Sequence, residues 1–181
     1  MKYLIVLLLV MPYSLFAQDI KAYQVDKELQ KDSNGLVFYQ GVIDSDLKKD
    51  KIFIKLSEWF TSTFDTPESL ITFSDLGEGK IIGKGSYKMY TKSKIGVTNF
   101  YYVSFNIKLE IKEGKYRYTL DNFIFIGDRT ARYKKQELHS DKPPAFVSKK
   151  IWRGIKNYSA HHIEDIISDM KVSVNDKNDD W

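Results

Sequence analysis

Three groups of residues carry the side chains and spacings from which chemistry is usually built. The first is Gly79-Lys80-Ile81-Ile82-Gly83-Lys84-Gly85-Ser86. A phosphate-cradling Walker loop needs four residues between its glycines and a Ser or Thr directly after the Lys. Here three residues separate Gly79 from Gly83, and Gly85 follows Lys84. The stretch also alternates like a strand, so no helix N-terminus would meet a phosphate. The second group is His161-His162-x-Glu164-Asp165. On a helix His161 and Asp165 stand one turn apart and share a face, while His162 points about 100° away, toward an apolar stripe. The remaining histidine is His139 and there is no cysteine, so the pair falls short of a metal's ligand set and is expected on a solvated helix face. The third is nucleophilic catalysis. No G-x-S-x-G elbow and no thiol occurs, and Asp and Glu show no informative spacing. No catalytic residue, metal ligand or cofactor is therefore assigned, and an enzyme has no support from any motif.

A fourth group is defined by a face. Lys84, Ser86, Lys88 and Tyr90 alternate along one segment, Tyr102, Ser104, Asn106 and Lys108 along the next, and Arg117 and Thr119 along a third. As strands, these segments would project all of them from one side of a sheet. Lys84, Lys88, Tyr90, Tyr102, Asn106, Lys108 and Arg117 are the candidate ligand-binding residues. Aromatic and basic groups mixed in this way suit a glycan, an anionic polymer, a small ligand or a protein surface. The plain alternative is an ordinary wet sheet face.

The elements that must position this face centre on Asn99 to Gly127. Tyr101, Val103, Phe105, Ile107, Leu109 and Ile111 are apolar and two apart, with mostly polar residues between them, the pattern of a half-buried antiparallel strand. Glu113-Gly114 is a two-residue turn. It pairs Lys112 with Lys115, Ile111 with Tyr116, Leu109 with Tyr118, Ile107 with Leu120 and, on the opposite face, Glu110 with Arg117. A change of phase at Asp121-Asn122 predicts a bulge or bend. Ahead of the hairpin come strands at Leu36–Ile43, Leu70–Phe73 and Lys80–Thr91. Ser45 or Asp46 is the expected N-cap of a helix over Lys48–Phe64, whose stripe of Ile52, Phe53, Leu56, Trp59, Phe60 and Phe64 would cover the greasy side of the sheet; Ile54 falls outside it and Pro67 marks the end. Gly83 and Gly85 on the core side imply close approach of that helix or a bend. A second helix runs from Lys149 to about Val172, with Ile151, Trp152, Ile155, Ile163, Ile166 and Met170 on one side. The long connection over 128–148, with Pro143-Pro144, is expected to be functional or mobile.

Composition sets the compartment. Lys2, the unbroken apolar run Leu4–Met11, Pro12 and Leu15-Phe16-Ala17 form the pattern of a secretory signal peptide cut after Ala17. The run is short for a bilayer span, and a chain without cysteine carries neither a lipid-anchored cysteine nor a disulfide. The expectation is an exported protein, periplasmic or secreted, with no stable membrane anchor after cleavage. Loss of Lys2 leaves 27 basic against 24 acidic residues, a net charge of +3 and no argument for nucleic acid. Residues 18–34 are expected to be a loose lead-in linker, 35–173 a single domain and 174–181 a fraying polar tail.

The order β-α-β-β-β-β-α, with both helices on one face of a curved five-stranded antiparallel sheet, is a two-layer α+β arrangement. It is one half of the TATA-binding-protein (TBP) fold. Glu58-Trp59-Phe60, Gly79-Lys80-Ile81-Ile82-Gly83-Lys84-Gly85 and Glu113-Gly114-Lys115-Tyr116-Arg117-Tyr118 carry a resemblance to a family of exported bacterial proteins described as a domain of unknown function with a TBP-like fold. The resemblance spans Leu36 to Ile126 well and the second helix weakly. It implies the fold and no activity, and DNA binding does not follow from the fold's name: apolar wedges that kink DNA are missing from the face. The functional expectation is a non-catalytic envelope-binding module using the open sheet face. The alternatives are a structural or assembly accessory of the envelope and, behind it, a hydrolase.

Overall fold

The computed structural model describes residues 18–21, 23, 25–64, 70–92, 96, 98–127 and 135–176. The expected signal peptide, Pro67, the end of the polar tail and the first part of the 128–148 connection lie outside the described residues. Nine elements follow in order: β1 (Gln18–Asp19), β2 (Tyr39–Asp44), α1 (Lys49–Thr63), β3 (Leu70–Asp75), β4 (Lys80–Lys92), β5 (Thr98–Lys112), β6 (Lys115–Phe125), β7 (Gln136–Glu137) and α2 (Lys149–Asn175). Five long strands form an open antiparallel sheet in the order β3-β4-β5-β6-β2, with β1 parallel beside β4 and β7 antiparallel beside β6.

The β5–β6 hairpin has the expected register, from Lys112 opposite Lys115 through Glu110 opposite Arg117 to Ile107 opposite Leu120. Gly114 takes φ 68° in the turn, a conformation that favours glycine. The expected bulge is present. Asn106 pairs with Asp121 but Ser104 pairs with Ile124, so β6 holds an extra residue, and Asn122 adopts φ 54°. Because side chains alternate, the insertion restores Phe123 and Phe125 to the core after the phase has slipped. It also marks the point where one edge of β6 passes from β2 to β7.

Both helices cover one face. On α1, Ile52, Leu56, Trp59 and Phe60 are buried, while Ile54 faces outward. A Cβ on Gly83 would lie 2.6 Å from the Phe60 ring, and one on Gly85 3.0 Å from Phe64; the two glycines are the seats into which the helix presses its rings. On α2, Trp152 meets Phe125 edge-on at 5.4 Å. The helices are joined where Trp59 Nε1 donates to Asp169 Oδ2 at 2.9 Å.

Several boundaries differ from the sequence expectations, each for a local reason. The first long strand begins at Tyr39, not Leu36, because Asp32 accepts from the amides of Asn34 and Leu36 and folds residues 31–37 into a tight turn. The N-cap of α1 is Lys48, with no capping side chain of its own; the Glu113 carboxylate, from the hairpin turn, accepts from Lys49 N at 3.1 Å instead. Residues 18–34 are not a loose linker. Ile20 is buried and its amide donates to the Tyr90 carbonyl. Tyr23 OH donates to Asp165, Lys27 N donates to Asn157 Oδ1 at 2.7 Å, and the Lys27 ammonium pairs with Glu164. This strap lies along α2 and gives the helix a second buried side. The later part of the 128–148 connection is also tied down, through β7, Leu138 and Val147.

Candidate functional site

The sheet face opposite the helices carries the outward side chains of β4, β5 and β6. Strand alternation places Lys84, Lys88, Tyr90, Tyr102, Asn106, Lys108 and Arg117 together on it, and register sets Lys84 beside Asn106, Lys88 beside Tyr102 and Ile82 beside Lys108. Three regions differ in what they can do.

At one end stands a row of aromatics and lysines. Lys88 Nζ lies 4.0 Å from the centre of the Phe100 ring and 5.7 Å from that of Tyr102. Lys92 Nζ lies 5.6 Å from Tyr90, which meets Phe100 edge-on at 6.2 Å. Each ring face holds an ammonium electrostatically, so the lysines are ordered without being neutralised. Phe100 belongs to this row although the strand pattern did not single it out.

At the other end Lys108 and Arg117 share one counter-ion: Lys108 Nζ is 3.0 Å and Arg117 Nη2 2.7 Å from the Glu110 carboxylate. Burial works to raise the Glu110 carboxyl, but the two cations outweigh it and hold the group below its ordinary range. Ser86 and Thr119, though on this face, are buried, and Thr119 Oγ1 accepts from Gln40 Nε2.

Between the ends lies a cleft of about 390 Å3 beside the bulge. Lys84 and Asn106 line it together with Asn122, Lys135 and Gln136. Sequence periodicity does not reach the last three. Asn122 is presented by the bulge, and Lys135 and Gln136 are brought in by the pairing of β7 with β6. Asn106 Nδ2 donates to Asp121 Oδ1 at 2.9 Å across the irregular register.

A larger concavity, about 760 Å3, lies between the strap and α2. Lys31, Arg153 and Lys156 face Asp26, Glu28 and Asp141 there, so its charges largely compensate. Burial holds the Lys156 ammonium below its usual pKa, and neighbouring Lys31 adds to that, against the pull of Asp141 at 3.6 Å.

The histidine pair is also corrected. His161 stacks on Tyr23 at 4.3 Å and its Nε2 lies 2.9 Å from the Val25 carbonyl. His162 is buried against Tyr87 and Tyr158, with ring centres 4.8 and 5.3 Å away. Burial pushes its pKa down to about 4, against an opposing pull from Asp165. His162 therefore lies in the core while His161 stays half-exposed under the strap, and among the described residues no group of three His, Asp or Glu is placed to hold a metal.

Residues 38–125 match the model of a family described as a domain of unknown function (DUF4468) with a TBP-like fold. These residues form a DUF4468 domain. The match runs from the start of β2 through the bulge to the end of β6, so it contains the uncovered face but neither β7 nor α2. A DUF4468 family protein from Bacteroides ovatus is similar in structure, with a TM-score of 0.64 and 17% identity over 83% of this chain and 92% of that one. A TBP-like protein from Parabacteroides distasonis gives a TM-score of 0.60 and 13% identity over 79% and 95%. At such identities the likeness carries the fold alone. No curated protein matches the chain in sequence.

Proposed function

We propose that the protein is an exported, non-catalytic binding module of the cell envelope, taking its partner on the uncovered face of the DUF4468 sheet. The observation that carries this reading is the row Lys92–Tyr90–Phe100–Lys88–Tyr102. It sets cations among partly exposed rings on a face that, among the described residues, no helix covers. Leu70 and Phe73 on β3 are 49% and 41% exposed and extend the apolar part of the surface. Apolar area interleaved with fixed cations favours a partner that offers both hydrophobic contact and negative charge. Export rests on the signal-peptide pattern of residues 1–17, and N-terminal sequencing of the mature protein beginning at Gln18 would support it.

The test is capture from the native envelope by photo-crosslinking. Residues on the open face are replaced one at a time by a photoreactive amino acid, with exposed positions of α2 such as Arg153 as controls. Adducts confined to the open face, and lost in the triple variant Lys88→Ala, Phe100→Ala, Tyr102→Ala with unchanged circular dichroism, support the reading. Adducts on α2 alone, or capture that survives the triple variant, refute it.

A further inference from the structure

We propose that the cleft beside Asn122 is a subsite for a sugar carrying a carboxylate. The inference rests on the binding role of the open face and names what its central cleft takes.

The first observation is the kind of polar group gathered there. Asn106, Asn122, Gln136 and the Ser104 hydroxyl line one concavity. An amide offers a donor and an acceptor side by side, which matches the neighbouring hydroxyls of a sugar ring better than it matches a bare anion or an apolar ligand. Ile124 adds an apolar side chain that suits the C–H face of such a ring, the buried Phe105 closes the floor, and the Glu137 carboxylate completes the lining.

The second is the state of the charges. Among the described residues the side chains of Lys84 and Lys135 make no hydrogen bond or ion pair. The two acids beside them are already engaged: Asp121 accepts from Asn106, and Glu137 lies 3.3 Å from His139 Nε2. The cleft thus holds two cations against one lining carboxylate, Glu137, and keeps an excess of positive charge. A ligand with its own carboxylate supplies what is missing.

The third is the backbone. Asn122 holds φ 54° at the bulge, a conformation that asparagine tolerates better than most residues, and the insertion aims an amide into the cleft in place of the regular strand pattern. Tyr102 and Lys88 stand four residues along β5 and β4 from Asn106 and Lys84, about 13 Å at strand rise. A chain of acidic sugars running along the strands would reach from the cleft to the aromatic row.

Isothermal titration with an oligosaccharide of galacturonic acid tests this, using its methyl-esterified form and a poly-glutamate peptide as comparators. Expected is binding to the acid form, weakened about tenfold by esterification, by Lys84→Ala with Lys135→Ala, and several-fold by Asn122→Gly, which keeps the backbone conformation. Absence of binding at millimolar sugar, equal binding of poly-glutamate, or indifference to these variants overturns the assignment. Because photo-crosslinking reports the whole face, an envelope partner captured there while the sugar fails removes the saccharide and leaves the surface.

Discussion

His162 allows the packing of α2 to be tested by pH. The imidazole is buried between Tyr87 and Tyr158, its Nε2 has no hydrogen-bond partner, and burial pushes its pKa from 6.5 down to about 4. Above pH 6.5 the ring is neutral in both folded and unfolded chains, and the stability is at its full value. As pH falls from 6.5 toward 4 the unfolded chain takes up a proton that the folded one refuses, and stability is lost at about 1.4 kcal/mol per pH unit. Below pH 4 this contribution levels off, after a total of about 3 kcal/mol. His162→Phe keeps an aromatic ring in the same space, removes the titration and removes a buried nitrogen whose missing partner costs about 1–3 kcal/mol. Urea denaturation at pH 7, 6, 5 and 4 therefore should show the variant gaining on the parent as pH falls. A difference that stays flat from pH 7 to 4 would show that His162 is solvated in the folded protein, and would refute the buried placement.

Other expectations concern how the sheet is held. Gly83→Ala puts a Cβ 2.6 Å from the Leu70 carbonyl oxygen, a backbone atom that cannot turn aside, and should cost about 1–3 kcal/mol in thermal denaturation; adding Phe60→Leu should not restore it. At Gly85 the nearest atoms are all side chains, of Phe105, Ile107 and Phe64, so Gly85→Ala should be rescued in part by Phe64→Leu in the same assay. Glu113→Ala removes the carboxylate that caps α1 from the hairpin turn and should lower stability by about 1 kcal/mol in urea. Ile20→Ala should cost about 2–4 kcal/mol, and hydrogen exchange should show the strap opening ahead of the sheet; an unchanged midpoint would mean that the strap does not hold.

The parts read correctly from sequence are those whose signals repeat locally. The hairpin repeats with period two, closes with a two-residue turn, and has one register that puts every apolar side chain inside. The seats at Gly83 and Gly85 were visible because small residues interrupted a core-facing alternation. The strap was not visible, because it docks through single polar contacts by Tyr23, Val25 and Lys27 that have no period. His162 follows from the strap: on a helix buried on one side it would stand at the margin, whereas α2 lies between sheet and strap and buries Asn157, Tyr158, Ser159 and Ala160 in succession. The candidate face was recognised as a face but not in its divisions. Glu110 pairs with both Lys108 and Arg117, and the cleft joins Lys84 to Lys135 across a connection that periodicity does not span.

The strap also sets the order in which the chain can be completed. Tyr23 reaches a partner 142 residues away and Lys27 one 137 residues away, in the middle of α2. Until α2 has formed, the strap has no surface to dock on, and its contacts have long loops to seal. Folding therefore ends with α2 and the strap closing together as one late event. A chain truncated within α2 should expose its beginning to proteases as readily as its end.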